Sequence, residues 1–166
     1  MKTTAFFTRI LSWLTGSRLT VDNSVVRELD LDRFLGSWYE VARFDHFFER
    51  GMSQTKANYV LRDDGNIDVI NTGIKNGRPK TAKGKAKLTD IPSLLRVSFF
   101  GPFYSDYRVM LVAADYRYML IGSGSDGYLW ILSRTPQLVD SDRATILSEA
   151  QRRGYDVDKL IWVKQD

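Results

Sequence analysis

The sequence predicts an all-β protein: an eight-stranded antiparallel up-and-down β-barrel with a C-terminal flanking α-helix and a short ninth strand. Three observations support this fold class. Apolar and polar residues alternate from about residue 38 onward, turn residues interrupt that alternation at short intervals, and 166 residues suit a single domain. Closing such a sheet into a barrel pairs both of its edges.

Glycine, asparagine and proline divide the alternating region into strands. They cluster at residues 63–66, 75–77, 90–92, 101–102 and 125–127, and they supply the positive φ or the fixed φ that tight turns need. A barrel of eight strands is wide enough to hold one small ligand. The predicted strands span residues 38–45, 54–62, 66–74, 80–88, 94–100, 106–113, 117–122 and 128–134.

A single helix is predicted between the eighth strand and the ninth. Residues 140–142, Asp-Ser-Asp, supply a cap and acids that suit a helix N-terminus, while two arginines and Gly154 suit its end. Residues 160–163 form the short ninth strand, which we expect to pair with the first. The expected buried face of the helix includes Ala144, Ile146, Leu147 and Ala150.

The composition argues against enzymatic chemistry and against nucleic acid as a partner. The chain has no cysteine, which excludes disulfides, thiolate metal sites and a thiol nucleophile, and its one histidine is His46. We therefore expect no catalytic residues, no metal and no cofactor. The net charge is +4, but Lys83, Lys85 and Lys87 alternate along a strand as a solvated face does. The excess charge suits an anionic membrane surface instead.

The N-terminal segment, residues 1–28, is predicted to be separate from a domain over residues 29–166. Residues 1–16 contain Lys2 and an apolar stretch that Arg9 interrupts, and this stretch is too short to span a bilayer. Three interpretations remain open for it: an amphipathic helix on a membrane surface, a degenerate export signal, or a short helix docked on the barrel.

The fourth strand gives the main argument for a hollow lumen. Ala82 and Gly84 share one parity while the lysines share the other, so the pleat points small side chains inward and charges outward. Small inward residues leave space, and each methylene of an acyl chain buried there contributes about 0.8 kcal/mol. The residues expected to line the lumen are Asn71, Ala82, Gly84, Val97, Phe99, Tyr107, Val109, Tyr128 and Trp130.

One carboxylate is predicted to face the lumen, because Glu40 shares the inward parity of Trp38 and Ala42. A buried carboxylate needs a partner, and we expect Arg134 or a neighbouring tyrosine to supply it. The alternative partner is the polar group of a ligand. The same alternation points Leu111 of the sixth strand into the lumen.

Two motifs bound the strand-rich region. Residues 36–43 read Gly-Ser-Trp-Tyr-Glu-Val-Ala-Arg, and residues 129–136 read Leu-Trp-Ile-Leu-Ser-Arg-Thr-Pro. On these two motifs and on residues 44–51 and 97–104, the chain resembles the lipocalins, in particular the bacterial outer-membrane members and their apolipoprotein D relatives. The resemblance implies that an arginine lies across a tryptophan indole and closes one end of the barrel. The residues it assigns to that closed end are Gly36, Trp38, Asp115, Tyr116 and Arg134.

The opposite, open end is formed by four loops at residues 46–53, 75–79, 101–106 and 123–127. This rim combines aromatic residues with cations, so a bilayer, a phosphate headgroup and a second subunit all remain open as its partner. The rim residues expected to contribute to ligand binding are Phe47, Phe48, Arg50, Arg78, Phe103 and Tyr104.

The resemblance implies a lipid-binding protein that stores or transports a fatty acid or a lysophospholipid in the lumen for membrane maintenance. It implies a peripheral location in the bacterial envelope, at the outer membrane or in the periplasm. A cytoplasmic location stays open, because the export signal is interrupted and the lipid-bearing cysteine of lipoproteins is absent. We expect a monomer or a homodimer.

Two alternative functions remain open. The first is a carrier of a cyclic hydrophobic ligand such as a pigment, a sterol or haem, for which His46 is the only imidazole. The second, from another class, is a protein-interaction module whose lumen is filled by its own side chains.

Overall fold

The computed structural model describes residues 19–166. Within that range, nine antiparallel strands form one sheet in the order β2-β3-β4-β5-β6-β7-β8-β1-β9, and a further pairing of β2 with β1 closes the first eight into a barrel. The strands are β1 (Gly36–Phe44), β2 (Ser53–Leu61), β3 (Ile67–Lys75), β4 (Arg78–Lys87), β5 (Leu94–Phe100), β6 (Phe103–Val112), β7 (Tyr118–Gly122), β8 (Leu129–Ser133) and β9 (Leu160–Trp162). The helices are α1 (Leu31–Phe34), α2 (Asp140–Arg152) and a 3-10 helix (Val157–Lys159).

The predicted barrel, flanking helix and ninth strand are confirmed. Most predicted strand ends lie within two residues of the observed ones; β6 is the exception, because it begins at Phe103 instead of residue 106. The ninth strand pairs with the first as expected, with Trp162 opposite Ala42 and Leu160 opposite Phe44. The three interpretations of residues 1–16 concern a segment that lies outside the described residues.

Helix α2 packs on the outside of the barrel over a second apolar core. Ile146 is fully buried there, whereas Ala144, predicted to be buried, is exposed. The predicted N-terminal cap is wrong, because the capping residue is Val139 and it makes no side-chain bond. Asp142 instead forms an ion pair with Arg117, 2.7 Å between Oδ1 and Nη2. This acid therefore ties the helix to the barrel.

A β-bulge in β1 changes which side chains face the lumen. The pairing of β1 with β8 shifts its register between Glu40 and Ala42, and an extra residue reverses the inward parity beyond it. Trp38 and Glu40 face the lumen as predicted, but Ala42 packs in the second, outer core. A similar shift in β6 between Val109 and Leu111 turns Leu111 toward the outer core, so its predicted inward position is wrong.

The described part of the N-terminal segment lies against the barrel. The Asp22 backbone N–H donates to the Arg153 carbonyl at 2.8 Å, and the Val26 N–H donates to the Val109 carbonyl at 3.0 Å. The Arg153 guanidinium also donates to the Ser24 carbonyl at 2.7 Å. Among residues 19–166, no helix is both long enough and apolar enough to cross a membrane.

Candidate ligand-binding site

One end of the barrel is closed by an arginine stacked on a tryptophan. The guanidinium carbon of Arg134 lies 3.6 Å from the centroid of the Trp38 ring, and Trp38 is fully buried. The Trp38 indole N–H donates to the Phe34 carbonyl at 2.8 Å, while Arg134 donates to the carbonyls of Ser37 at 2.8 Å and Leu35 at 3.0 Å. A cation on a shielded indole contributes about 2 kcal/mol, and the carbonyl bonds hold it in place.

The other residues predicted at the closed end lie around this stack. Gly36 has a φ of 94°, a backbone conformation that glycine adopts without strain, and it lies beside the stacked guanidinium. The Tyr116 hydroxyl accepts the Asp30 backbone N–H at 2.7 Å. Asp115 forms an ion pair with Arg117 at 2.9 Å. These contacts shape the closed end and leave the lumen free.

A cavity of about 80 Å³ lies in the lumen. Five of the nine predicted lumen residues line it, and Phe48, which we expected at the rim, lines it as well. The loop after β1 therefore brings an aromatic ring to the cavity. The five predicted residues are Asn71, Val97, Phe99, Tyr107 and Trp130. Lining residues that we did not predict include Glu49, Ala57, Tyr59, Val69, Ser105, Asp106 and Ile121.

The other four predicted lumen residues do not line this cavity. Ala82 is exposed, although it pairs with Asn71, which lines the cavity. Gly84 faces the Phe99 ring, which lies 2.8 Å from where a β-carbon would stand, so that ring occupies the space which the glycine leaves. Val109 is fully buried in the apolar core. Tyr128 belongs to an aromatic cluster at the mouth of the cavity.

A buried ionic group lies beside the cavity. The Arg43 guanidinium donates through Nη1 to Glu40 Oε1 at 2.9 Å, and through Nη2 to the carbonyls of Glu49 at 2.9 Å and Met52 at 3.1 Å. The side chains of Glu40 and Glu49 both line the cavity. The predicted partner of Glu40, Arg134 or a tyrosine, is therefore wrong. The reason is the bulge in β1, beyond which Arg43 lies on the face opposite Ala42.

Burial shifts the protonation of the polar groups in the lumen. Burial and the charge of Glu40 raise the pKa of Glu49 well above its ordinary value. Burial, together with the charge of Arg43, lowers the pKa of His46 to about 3. Toward the closed end, the hydroxyls of Tyr59 and Tyr107 share a hydrogen bond of 2.9 Å, and burial raises the pKa of both. Near neutral pH, His46 is uncharged and both tyrosines keep their protons.

Four aromatic rings crowd the mouth of the cavity. The ring centroids of His46 and Phe48 are 3.9 Å apart. Those of Tyr128 and Trp130 are 5.7 Å apart, with ring planes inclined by 19°. Both of these rings lie 5.6 Å from His46. The cluster therefore narrows the entrance, and it gives His46 an apolar environment that its position in a loop did not indicate.

The rim beyond this cluster carries exposed aromatic residues and cations. Phe103 is 47% exposed, and Phe100, on the other side of the Gly101-Pro102 turn, is 52% exposed. We did not predict Phe100 as a rim residue. Arg50 forms an ion pair with Asp45 at 3.0 Å. Of the other predicted rim residues, Phe47 packs edge-on against Phe48, Arg78 is exposed on β4, and Tyr104 lies beneath the Lys87 ammonium.

Residues 29–165 match the model of the lipocalin-like domain. The chain belongs to the lipocalin family. It is 51% identical to the outer membrane lipoprotein Blc of Citrobacter freundii over 146 residues, which cover 86% of this chain and 82% of that protein. It is 41% identical to the Blc lipoprotein of Vibrio cholerae over 168 residues, covering 97% and 98%. Mouse apolipoprotein D is 30% identical over 152 residues, covering 85% and 79%.

Solved structures share the fold of this lipocalin at low sequence identity. Lobster apocrustacyanin A1 superposes with a TM-score of 0.71 at 18% identity, covering 92% of this chain and 91% of that one. Insecticyanin of the tobacco hornworm gives a TM-score of 0.70 at 21% identity, covering 90% and 86%. Lipocalins bind small hydrophobic ligands. Within the described part of this lipocalin, no group of three or more side chains is placed to hold a metal ion.

The cavity of this lipocalin is small for a lipid. Its volume of about 80 Å³ falls below the roughly 300–1,000 Å³ of pockets that bury drug-sized ligands. Phe48, Phe99 and Trp130 all line it, and their rings occupy space that an acyl chain would need. Binding of such a chain therefore requires these rings to move aside.

His46 makes the stability of this lipocalin depend on pH. Its pKa falls from 6.5 to about 3 on folding, so its contribution is complete above about pH 6.5 and is lost as the pH falls toward 3. The His46→Phe variant keeps a ring in the cluster and removes this titration. Between pH 6.5 and 4.5, the free energy of unfolding should fall by up to about 2 to 3 kcal/mol more in the parent than in this variant. Urea denaturation at both pH values measures the difference.

The pKa shift of Glu49 changes the pH dependence of stability in the opposite direction. Because its pKa is raised in the folded state, the folded protein takes up this proton first and gains stability through it as the pH falls. The Glu49→Gln variant lacks that gain and should lose stability more steeply than the parent over the same range.

For His46→Phe, a free energy of unfolding that depends on pH as it does in the parent would contradict a buried neutral imidazole.

Proposed function

We propose that this lipocalin binds one single-chain lipid, a fatty acid or a lysophospholipid, in its lumen and stores or transports it at the bacterial envelope for membrane maintenance. The observation that supports this most directly is a largely apolar cavity inside a barrel that the stack of Arg134 on Trp38 closes at one end. Val69, Val97 and Ile121 contribute to its wall. Each acyl methylene buried there contributes about 0.8 kcal/mol. The function is binding, without a chemical step.

The rim supports a place for the lipid headgroup. The Arg50 side chain is 58% exposed and Arg78 is exposed, and guanidinium groups suit phosphate oxygens. The exposed rings of Phe100 and Phe103, on a protein of net charge +4, suit contact with an anionic membrane surface. Relatives named outer membrane lipoproteins support a peripheral place in the envelope.

Lipid binding is tested on protein purified without detergent. Native mass spectrometry should show one lipid per chain, and titration of the delipidated protein with oleoyl lysophospholipid should change the tryptophan emission saturably. The Ala57→Phe variant places a ring in a cavity of about 80 Å³ and should weaken binding at least ten-fold. Ala144→Phe is the matched control, because the same substitution at an exposed position of helix α2, outside the barrel, leaves the cavity unchanged.

Thermal unfolding of both variants establishes that they fold. A folded Ala57→Phe protein that binds lipid as the parent does would overturn the lumen as the site. A parent protein that binds neither fatty acid nor lysophospholipid would overturn the proposed ligand class. In that case, a partner protein that binds the rim without competition from lipid would identify an interaction module.

A cyclic hydrophobic ligand is the second candidate, and the aromatic cluster favours it. The rings of Tyr128 and Trp130 are inclined by only 19°, which suits a flat molecule stacked at the mouth. A pigment or haem would appear in native mass spectra together with visible absorbance. For haem, burial and a lowered pKa keep the His46 imidazole neutral, and that is the form which binds a metal.

A further inference from the structure

The lumen has a polar side that an acyl chain does not explain. Glu40 and Glu49 line the same cavity, and their side chains are 10% and 13% exposed. The Oε2 atom of Glu49 is buried and has no hydrogen-bond partner. A buried polar atom without a partner is costly, so the ionised form of Glu49 offers an acceptor to a ligand, and a ligand donor would there take the place of the proton that burial favours.

The nearby guanidinium does not neutralise both carboxylates. Arg43 uses Nη1 for Glu40 and Nη2 for two backbone carbonyls, and its Nε lies 3.8 Å from Glu49 Oε2, beyond hydrogen-bond distance. His46 Nε2 lies 3.5 Å from Glu49 Oε1, but this imidazole is uncharged near neutral pH because burial lowers its pKa to about 3. Two carboxylates therefore face one guanidinium.

Beside the two glutamates, the free hydrogen-bonding capacity of the cavity lining is that of an acceptor, whereas toward the closed end one hydroxyl of the Tyr59–Tyr107 pair keeps a free proton. Among the cavity-lining side chains of residues 19–166, the buried polar atoms without a partner are Glu49 Oε2 and Asn71 Oδ1. A third carboxylate in the lining, Asp106, is paired with Arg96 and Arg108. A ligand carboxylate would add a negative charge and further acceptors to this side, whereas an ammonium or a hydroxyl group would donate to it.

We propose that the lumen selects lipids whose polar end carries a hydrogen-bond donor, an ammonium or a hydroxyl group, and discriminates against a free carboxylate, with Glu40 and Glu49 as the specificity-determining residues. This inference rests on the proposed lipid-binding function and refines it, since it names the chemistry of the polar end that the lumen accepts. The net charge of +4 makes the prediction distinctive, because long-range attraction alone would favour the anionic lipid.

Four ligands with the same oleyl chain isolate the effect of the polar end: oleylamine, oleyl alcohol, methyl oleate and oleic acid. Each is titrated into the delipidated full chain at pH 8, with tryptophan emission and native mass spectrometry as readouts. We expect oleylamine to bind at least ten-fold more tightly than oleate. We also expect oleyl alcohol, which donates a hydrogen bond, to bind more tightly than methyl oleate, which does not.

Charge-neutralising variants test the two carboxylates. Glu49→Gln keeps the shape of the side chain and should reduce the ratio of oleylamine to oleate affinity below three-fold, and Glu40→Gln should reduce it in the same direction. Asp64→Asn is the matched control: it changes the net charge equally in an exposed turn between β2 and β3 and should leave the ratio unchanged. Thermal unfolding shows whether each variant is folded.

The possible outcomes separate this inference from the function on which it rests. Oleate that binds as tightly as oleylamine, or a ratio that folded Glu49→Gln leaves intact, would overturn the inference while binding of methyl oleate still supports a lipid carrier. If none of the four ligands and no lysophospholipid binds, the proposed function itself is wrong, and the inference falls with it.

Discussion

Replacement of Arg43 by methionine is expected to lower the free energy of unfolding by about 3 to 5 kcal/mol. The guanidinium is 1% exposed, and it donates to the Glu40 carboxylate and to the carbonyls of Glu49 and Met52. Methionine fills much of the same volume but leaves a buried carboxylate without a counter-charge and two carbonyls without a donor. Urea denaturation followed by tryptophan fluorescence measures the loss.

Two further variants control for charge and for volume. Arg62→Met removes an arginine that pairs with Asp64 and Asp68 near the surface, where ion pairs contribute little. The double variant Glu40→Leu, Arg43→Met removes both buried charges and should recover part of the stability, since an apolar pair needs no hydrogen bonds. An Arg43→Met protein as stable as the parent, or a double variant less stable than Arg43→Met, would contradict this account.

The Trp38→Ala variant should lose a similar amount, about 3 to 5 kcal/mol. Trp38 is fully buried at the closed end, so its removal leaves a cavity the size of an indole. It also deprives the Arg134 guanidinium of the ring that lies 3.6 Å away, and the Phe34 carbonyl of its donor. Thermal and chemical denaturation both report the loss.

A second tryptophan provides the control for this prediction. The guanidinium carbon of Arg143 lies 3.6 Å from the Trp162 ring centroid, the same distance as in the closed end, but Trp162 is 37% exposed on β9. Because the contact is similar and the burial is not, Trp162→Ala should cost well under half as much as Trp38→Ala. Equal losses in the two variants would show that burial of the closed end is not the dominant contribution.

Much of the architecture could be predicted because the features that specify it are local. Turn residues such as those at 63–66 and 101–102 mark where strands end, whatever the strands pack against. The resemblance placed Arg134 and Trp38 together at one end of the barrel, and the structure has them in contact. Gly36 lies beside that contact at a positive φ, which favours glycine.

The polar side of the lumen could not be predicted in the same way. Glu49 and His46 belong to the loop after β1, where no periodicity indicates a direction for a side chain, and only the packed structure shows that they turn toward the mouth of the cavity. Ala82 was the opposite error: its parity is inward and it pairs with the cavity-lining Asn71, but its own side chain is exposed.

The sequence by itself determined the barrel class, the order and approximate bounds of its strands, the flanking helix, the ninth strand and the absence of thiol chemistry. These follow from alternation, turn residues and composition, which are local properties of the chain. Only the tertiary structure decided which partner Glu40 has, which rings fill the lumen, and how large the cavity is. The physical reason is that a bulge reverses inward parity only through its pairing with a neighbouring strand, and a loop side chain takes its position from what packs around it.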